Sequence, residues 1–533
     1  QPTLGRMGVA YAPSDPKIVY AIAQVQTGRS LGLYKSLDGG ATWTGPTIDA
    51  NIVTSGSTYS WWFGRVFVAP TDPLDVFIPG VSMTRSRDGG TTTETMPGMH
   101  GDHHAMAWDP ANPNRFFIGD DGGVWRTTDN GATMESFEYM PVSQLYSLDV
   151  SEQDPNMLVA GLQDNGVNLK APDQEGWTSY GGGDGERTLI NPVNNSIVYG
   201  CSQYGNCFVD RSGGGNTDRE AISQEVVSAR KNWFTPIEFD PEDPSIVYTG
   251  GEIMSRSTDD GSTWTPISGD LSNGPQPDED PDYKSYGSLT TIGPAGKSTG
   301  FIYAGTDDGN LWVSRDDAAS WTKVVQEDLP KAWITRVQPD PRDPKVAYVT
   351  YSGFRSGEDA ASIFKTTDGG ESWRNISGDL PPGPLNDVNV IGDIVVVASD
   401  VGVFATRDGG EKWLKIGSNL PLAGRNSSSR CTVFASRPTS SAILRAAFPV
   451  GAASERAFSP GSGSLAVKAA HSGLGPEGRV SARVRRSPLA LTIVTSRSRI
   501  GTWSPGFTSS IWTTMFPTPK AAMPSPVVFR SQP

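Results

Sequence analysis

The sequence predicts an all-β propeller built from four-stranded blades, and three observations lead to this fold class. A turn pattern, Ser/Thr-x-Asp-x-Gly-x-Thr/Ser-Trp, recurs along the chain, and Asp-Pro turns that precede short apolar strands recur with it. Glycine (61 residues) and proline (41 residues) are abundant among the 533 residues, as expected for many short strands joined by tight loops. A repeat array also accounts for the length, because each repeat packs only on its neighbours.

The repeated turn is clearest at residues 36–43, 257–264 and 366–373. In such a turn the Asp side chain can accept backbone N–H groups, and Gly supplies a positive φ. The pattern resembles the Asp-box of sialidases, sortilin-type receptors and xyloglucan-cleaving hydrolases, where it is structural and lies far from the active site. We therefore expect these aspartates to be structural. Weaker copies begin at Ser86, Thr127, Ser314 and Thr406.

Each repeat is predicted to contain four antiparallel strands, A to D, with an Asp-Pro turn between A and B and the Asp-box between C and D. Asp15-Pro16, Asp243-Pro244 and Asp343-Pro344 are examples of the first turn. A closing blade would bring the total from nine to ten, arranged as one wide ring or as two rings. Nine first strands begin near Arg6, Trp62, His104, Gln144, Glu186, Pro236, Ser288, Ile334 and Asp387.

The repeat pattern stops before the C-terminal segment, which divides the chain into a propeller at 1–423 and an atypical tail at 424–533. The tail contains 14 Lys and Arg but only two acids, Glu455 and Glu477. We interpret it as a disordered basic tail or as a stretch translated out of frame. The rest of the chain is acidic, within a net charge of −14, which argues against nucleic acid as a partner. The sequence contains no run of about 18 apolar residues, so it predicts no membrane-spanning helix.

Blade geometry predicts where a functional site lies. A–B and C–D turns share one face of the disc, so a ligand site near the channel should use B–C and D–A turns on the other face. Paired carboxylates there suit acid/base chemistry on a glycosidic bond, and Tyr286 and Trp333 are candidate sugar platforms. Asp-Gly turns are also ordinary hairpin chemistry, so each aspartate taken alone has a structural alternative. The candidate catalytic residues are Asp121, Asp164, Asp184 and Asp308, and the candidate ligand-binding residues are His100, Asp102, His103, His104, Gln163, Tyr286, Trp333, Arg336 and Asp400.

No cofactor or metal site is predicted. Asp102, His103 and His104 are adjacent, and alternate residues of a strand point to opposite faces, so at most two of them could share an ion. Three cysteines exclude a disulfide scaffold. Cys201 and Cys207 could pair across a hairpin in an oxidising compartment, or could be two small buried residues.

Four blocks, at residues 100–105, 119–124, 161–166 and 181–185, resemble bacterial secreted Asp-box (BNR) proteins related to the sortilin N-terminal domain. The resemblance covers residues 5–421 and implies a secreted or periplasmic protein. Proteins of this kind extend further upstream, which implies that early blades are missing. The resemblance implies a propeller that binds a polysaccharide, with or without xyloglucanase-like hydrolysis. The alternative is a non-catalytic, sortilin-like binder of a peptide or protein, or an assembly scaffold. Sialidase activity is not expected, because the arginine triad and the Arg-Ile-Pro segment of sialidases are missing.

Overall fold

The computed structural model of the chain describes residues 4–25, 29–55, 59–137, 143–223, 225–226, 230–274 and 287–417, together with the backbone of two strands at 429–432 and 494–497. Regular structure in these ranges is almost entirely β. The described α-helices are α1 (Ala50–Thr54) and α2 (Ser60–Phe63), and single 3₁₀ turns occur at Gln203–Gly205, Lys297–Thr299 and Phe354–Ser356. None of the described helices has the length and hydropathy to cross a membrane.

Nine four-stranded antiparallel sheets follow one another along the described chain, which confirms the nine predicted blades. Blade 1 consists of β1 (Leu4–Ala12), β2 (Asp15–Val25), β3 (Ser30–Ser36) and β4 (Thr44–Thr47). Blade 2 consists of β5 (Phe67–Val68), β6 (Val76–Ile78), β7 (Thr84–Ser86) and β8 (Glu94–Thr95). Blade 3 consists of β9 (His103–Asp109), β10 (Asn112–Asp120), β11 (Gly123–Thr127) and β12 (Glu135–Ser136).

Blade 4 consists of β13 (Leu145–Val150), β14 (Leu158–Leu162), β15 (Gly166–Lys170) and β16 (Thr178–Gly181). Blade 5 consists of β17 (Thr188–Ile190), β18 (Val198–Ser202), β19 (Asn206–Asp210) and β20 (Arg219–Ala221). Blade 6 consists of β21 (Ile237–Phe239), β22 (Val247–Gly250), β23 (Ile253–Ser257) and β24 (Thr265–Asp270).

Blade 7 consists of β25 (Leu289–Pro294), β26 (Ile302–Thr306), β27 (Leu311–Ser314) and β28 (Thr322–Lys323). Blade 8 consists of β29 (Trp333–Asp340), β30 (Asp343–Ser352), β31 (Ser362–Thr366) and β32 (Arg374–Asn375). Blade 9 consists of β33 (Leu385–Ile391), β34 (Ile394–Ser399), β35 (Gly402–Thr406) and β36 (Leu414–Ile416).

Strands pair in chain order in every blade, so each blade is an antiparallel meander from strand A to strand D. Strand B lies in the middle of its blade and packs on both sides. Its sequence is therefore a continuous apolar run, as in β34, where all six residues are buried.

All seven repeated Asp turns have the same hydrogen-bonded geometry between strands C and D. In each, the first Ser or Thr hydroxyl donates to the Asp carboxylate, and the carboxylate accepts the backbone N–H four residues later, both at 2.7–3.0 Å. In blade 6, Asp259 also accepts from the Thr263 hydroxyl at 2.6 Å. The hydrogen bonds from Thr263 hold the pKa of Asp259 below its ordinary value.

Replacing Asp259 by alanine should lower the Tm at pH 7 by a few degrees, because the turn loses the acceptor that organises it. A carboxylate with a lowered pKa stabilises the fold above the ordinary pKa of about 4, and this contribution is lost as the pH falls. The difference in Tm from the wild type should therefore shrink below pH 4. Thermal unfolding at pH 7 and pH 3 measures it. Asp173→Ala, in the divergent C–D turn of blade 4, is the control, and an equal loss in both variants would contradict the assignment.

Apolar cores join the blades in two separate groups. One set of buried clusters joins blade 1 to blade 2 and blade 2 to blade 3. Another set joins each successive pair from blade 4 to blade 9. Within the described ranges, no such cluster bridges blades 3 and 4. The described blades thus form one packed group of three and one packed group of six.

The strands β37 (Ser429–Thr432) and β38 (Val494–Arg497) pair with each other and belong to the predicted tail. β37 lies against β33 and β34 of blade 9, and β38 lies against β13 of blade 4. The pair thus contacts the first and last blades of the second group. The rest of the tail, and with it the predicted closing blade, lies outside the described residues.

A charged network joins the inner strands of the second group of blades. Glu238 in β21 accepts from Arg187 at 2.5 Å and from Arg336 at 2.7 Å. Arg336 Nε also lies 3.6 Å from the Asp387 carboxylate. Because Arg336 belongs to blade 8 and Glu238 to blade 6, this bridge passes blade 7, and the channel is narrow at this level.

Candidate active site

Four loops meet where the two groups of blades adjoin, a place that we call the 3–4 junction. The B–C turns of blades 3 and 4 carry Asp121 and Asp164, and the D–A turns that lead into blades 3 and 5 carry Asp102 and Asp184. Carboxylate oxygens of Asp102, Asp121 and Asp164 lie within 4.8 Å of one another. The seven Asp turns connect strands C and D, so they lie at the opposite ends of the blades.

Polar contacts hold the 3–4 junction together. Asn165 Nδ2 donates to the carbonyl oxygen of Asp121 at 2.9 Å. His100 Nε2 lies 3.0 Å from the carbonyl oxygen of Asp164, and Nδ1 of the same ring lies 3.1 Å from the Gly101 carbonyl oxygen. His100 thus packs beneath the two B–C turns and supports their contact.

The turn that carries Asp164 is strained and is fixed by its neighbours. Asp164 has a φ of 61°, which is uncommon for a non-glycine residue and clusters at functional sites. Its backbone N–H donates to Asp184 Oδ1 at 2.6 Å. Its carboxyl oxygen Oδ2 accepts from Gln163 Nε2 at 3.1 Å, and Gln163 Oε1 accepts from the Tyr146 hydroxyl at 3.2 Å.

Asp164 retains its proton at neutral pH. Burial, together with the neighbouring charges of Asp121 and Asp184, raises its pKa to about 8. Burial and the charge of Asp121 also raise the pKa of Asp102. The junction therefore contains a carboxylic acid beside a second carboxyl group, which is the arrangement that acid/base catalysis requires.

Asp121 faces an aromatic corner. Its carboxylate lies 2.8 Å from His104 Nε2, and the two side chains are 30% and 26% exposed, so a ligand can reach both. The His104 ring stacks on Phe63 at 5.4 Å and meets the edge of Trp62 at 5.8 Å between ring centroids. Trp62 is half-buried and stands beside the carboxylates.

His103 points away from this corner, as strand alternation requires. It is buried, and its Nδ1 lies 3.2 Å from the carbonyl oxygen of Gly80. Its Nε2 lies 3.9 Å from the buried carboxyl of Asp120. Burial lowers the pKa of His103 to about 4 and raises the pKa of Asp120 to about 6, which shifts both towards their neutral forms. His103 is thus part of the packing and is not accessible to a ligand.

The three clustered carboxyl groups have the chemistry of a hard-cation site. Ca²⁺ and Mg²⁺ prefer carboxylate oxygens, and Asp102, Asp121 and Asp164 could hold such an ion once Asp164 has lost its proton. The sequence analysis missed this set because its members come from three different loops.

Asp308 lies outside the cluster. In the B–C turn of blade 7 its carboxylate accepts the backbone N–H of Asn273 at 2.6 Å and Asn310 Nδ2 at 2.8 Å. It also accepts from the Thr306 hydroxyl. Two donors from its own turn and one from the connection between blades 6 and 7 hold this carboxylate, and none of them belongs to the 3–4 junction. Tyr286 lies outside the described residues.

The other predicted ligand-binding residues are held in the second group of blades. Arg336 belongs to the charged network of the channel. The Arg355 guanidinium lies over the Trp333 ring, 4.3 Å from its centroid, and covers one face of the proposed platform. Asp400 accepts from Asn386 Nδ2 at 2.8 Å. None of these contacts brings the three residues to the 3–4 junction.

The structure adds residues that the sequence analysis did not single out. Trp62 supplies an aromatic face beside Asp121, and Gln203 Nε2 donates to Asp184 Oδ2 at 2.9 Å. Glu186 is fully buried, with both carboxyl oxygens lacking a described hydrogen-bond partner, and burial raises its pKa well above the ordinary value. Trp62 and Glu186 both stand at the start of a predicted first strand, which was a usable signal, whereas nothing local marks Gln203.

Comparison with known proteins relates the chain to xyloglucan-degrading enzymes at low identity. It is 26% identical to a xyloglucanase from a Paenibacillus species over 241 residues, 39% of this chain and 22% of that enzyme. It is 23% identical to a probable oligoxyloglucan-reducing end-specific xyloglucanase from Neosartorya fischeri over 363 residues, 62% of this chain and 38% of that protein. The chain thus spans between about a fifth and two-fifths of the length of these relatives. No protein-family model matches it.

Solved structures of two GH74 enzymes also align with the chain. The enzyme from Niastella koreensis is 14% identical, with 76% of this chain and 77% of that one covered and a TM-score of 0.29. The xyloglucanase from Xanthomonas campestris is 14% identical, with 80% and 78% covered and a TM-score of 0.26.

Proposed function

We propose that the chain binds a β-glucan-like polysaccharide at the 3–4 junction and hydrolyses it there. One observation carries the proposal: carboxylate oxygens of Asp121 and Asp164, which come from two separately packed groups of blades, lie within 4.8 Å of each other. The raised pKa of Asp164 supports it. Most glycosidases use such a pair, one carboxylic acid and one carboxylate, on either side of the scissile bond. The names of the two relatives make xyloglucan the first substrate to test.

In this proposal Asp164 is the general acid. Its proton passes to the glycosidic oxygen as the bond from that oxygen to the anomeric carbon breaks. Asp121 attacks the anomeric carbon, because carboxylate oxygens within 4.8 Å of each other fit the separation of about 5–5.5 Å in retaining enzymes and leave too little room for the water of an inverting route. Water then hydrolyses the glycosyl-enzyme, and Asp164 takes the proton of that water. His104, 2.8 Å from Asp121, orients that carboxylate. The anomeric configuration of the first product distinguishes the two routes.

Trp62 takes the role of sugar platform that the sequence analysis gave to Trp333 and Tyr286. An aromatic face beside the catalytic carboxylates suits the apolar face of a pyranose ring. Trp62 is half-buried and is linked to Asp121 through His104. Trp62 contacts the histidine that pairs with Asp121, whereas Trp333 lies in blade 8 under the Arg355 guanidinium.

The sortilin-like alternative, a peptide bound in the propeller channel, has less support. Arg336 and Glu238 bridge the channel of the second group of blades. A peptide would have to break this network, which is costly because it would leave partly buried charges unpaired. At the 3–4 junction, by contrast, the side chains of Asp121 and His104 are partly exposed, so a ligand can reach them without breaking an ion pair of the channel network.

We also propose that the protein works outside the cytoplasm and belongs with the Asp-box proteins. Cys201 and Cys207, opposite each other on β18 and β19, form a disulfide, and disulfides persist in oxidising compartments. The shared geometry of the seven Asp turns supports the second assignment.

Release of reducing ends from xyloglucan, mixed-linkage glucan, mannan and pectin tests the function. We expect release from at least one glucan, and we expect Asp121→Asn to lower it by about 10²–10⁴-fold, because one of the two carboxylates is lost. Asp308→Asn is the matched control, since this B–C turn aspartate lies in blade 7, outside the 3–4 junction, and it should keep the wild-type rate.

The same assay with EDTA separates a carboxylate pair from a cation site. Unchanged release supports the two-carboxylate mechanism, whereas loss that added Ca²⁺ restores would assign the three aspartates to an ion. No release from any of the four polysaccharides would remove the proposed function.

A further inference from the structure

The loop that leads into blade 5 is tied to the next hairpin by one side chain. Asp184 accepts with both carboxylate oxygens, Oδ1 from the backbone N–H of Asp164 and Oδ2 from Gln203 Nε2. Asp184 is only 7% exposed, so its geometry is set by these protein donors. Gln203 is therefore linked through Asp184 to the turn that carries Asp164.

The approach of Gln203 depends on a glycine. Gly183 has a φ of 77°, and a Cβ atom at this position would lie 2.7 Å from Gln203 Oε1. Both the backbone conformation and the space favour glycine here. The loop around Asp184 is thus shaped to receive the Gln203 amide.

The turn that carries Gln203 is itself held rigidly. The Cys201–Cys207 disulfide closes the hairpin beneath it. Asn206 Nδ2 donates to the Gln203 carbonyl oxygen at 2.7 Å. Tyr204 has a φ of 56°, and its ring packs edge-on against Trp233 with the ring centroids 5.1 Å apart. The Tyr204 N–H donates to the Trp233 carbonyl oxygen.

We propose that Gln203 is a positioning residue that holds the Asp184 carboxylate against the turn that carries Asp164, where its charge acts on the Asp164 carboxyl. The inference deepens the proposed function and rests on it for its kinetic consequence. Gln203 touches neither Asp164 nor Asp121 in the described contacts, so it acts through Asp184. Without the amide, Asp184 would keep the bond from the Asp164 N–H but lose its second donor, so its carboxylate could rotate away from Asp164.

Gln203→Met tests the proposal, because methionine keeps the length of the side chain and removes the amide. We expect the pKa of Asp164 to fall by about one unit or more, because the Asp184 carboxylate, still held by the Asp164 N–H but no longer by Gln203, would turn its charge away from the Asp164 carboxyl. Carbon-13 NMR of aspartate-labelled protein measures this pKa, with Asp164→Asn to assign the signal. Gln174→Met, in an exposed turn of blade 4, is the control and should leave the pKa unchanged.

The kinetic readout is the alkaline limb of the pH–rate profile on the polysaccharide that the wild type degrades. In Gln203→Met this limb should move to lower pH by the same amount as the NMR pKa, while the rate near pH 5 stays within about threefold of the wild type. A purely structural role would lower the rate at every pH without moving the limb, and that result would overturn the proposal.

The two readouts separate this inference from the proposed function. A shifted Asp164 pKa in a protein that degrades no polysaccharide would support the positioning role and remove the hydrolase. An unchanged Asp164 pKa in folded Gln203→Met would overturn the positioning role whatever the activity. If Gln203→Met does not fold, Gln203→Ala with the same NMR measurement replaces it.

Discussion

Asp164→Asn is expected to lower kcat on the polysaccharide substrate by about 10²–10⁴-fold, the contribution of a positioned general acid. Asparagine fits the site otherwise, because it tolerates the left-handed backbone that Asp164 adopts and can still accept from Gln163. The wild-type rate should fall as the pH rises through about 8, where Asp164 loses its proton. Initial rates between pH 4 and 10 measure both effects.

The same substitution should change stability in a pH-dependent way. A carboxyl group whose pKa is raised on folding binds its proton more tightly in the folded state, so wild-type stability falls as the pH rises from about 4 to about 8. Asp164→Asn removes this loss, and its Tm relative to the wild type should increase over that window. Asp173→Asn, on the opposite face of blade 4, should change neither the rate nor this trend. A fully active Asp164→Asn would contradict the assignment of the acid.

Turn chemistry made most of the fold predictable. The Asp turns and the Asp-Pro turns are fixed by residues within a few positions of each other, so nine blades and their strand order follow from local sequence. The face that carries the site follows as well, because B–C and D–A turns lie at the same ends of the blades. Asp102, Asp121, Asp164 and Asp184 meet there for this reason.

What local sequence could not predict is which of these turns meet. Asp308 follows strand B in blade 7 much as Asp121 does in blade 3, and both precede glycine. The difference between them is long-range: blade 7 has packed neighbours on both sides, whereas blades 3 and 4 adjoin where no described apolar core joins them. The site lies at that break in the packing, and no short motif encodes it.

The histidine cluster shows a case in which the pattern contained more than the prediction used. His103 and His104 are consecutive in β9, so only one of them can face the carboxylates. The structure buries His103 and places His104 on Asp121. The position of Arg336 in strand A already implied that its side chain faces the channel. Its partner could not be predicted, because Glu238 is 98 residues away in the sequence.

Glu238→Ala is expected to lower the free energy of unfolding by about 3–5 kcal/mol, the cost of removing one member of a buried ion pair. The Glu238 side chain is 13% exposed and accepts from Arg187 and Arg336 together, so its loss leaves two guanidinium groups close to each other in the channel. Asp387, 3.6 Å from Arg336 Nε, would compensate part of this charge. Urea unfolding followed by tryptophan fluorescence measures the change.

The comparison with an exposed pair decides whether burial causes the effect. Glu94 pairs with Arg87 at 3.2 Å, with side chains 59% and 53% exposed, and Glu94→Ala should cost no more than about 1 kcal/mol. Glu238→Gln keeps a hydrogen-bond acceptor without the charge and should fall between the two. If Glu238→Ala costs no more than Glu94→Ala, the channel network contributes little, and water must screen the two arginines. The argument against a peptide in the channel would then lose its energetic basis, because a ligand could displace the bridge at small cost.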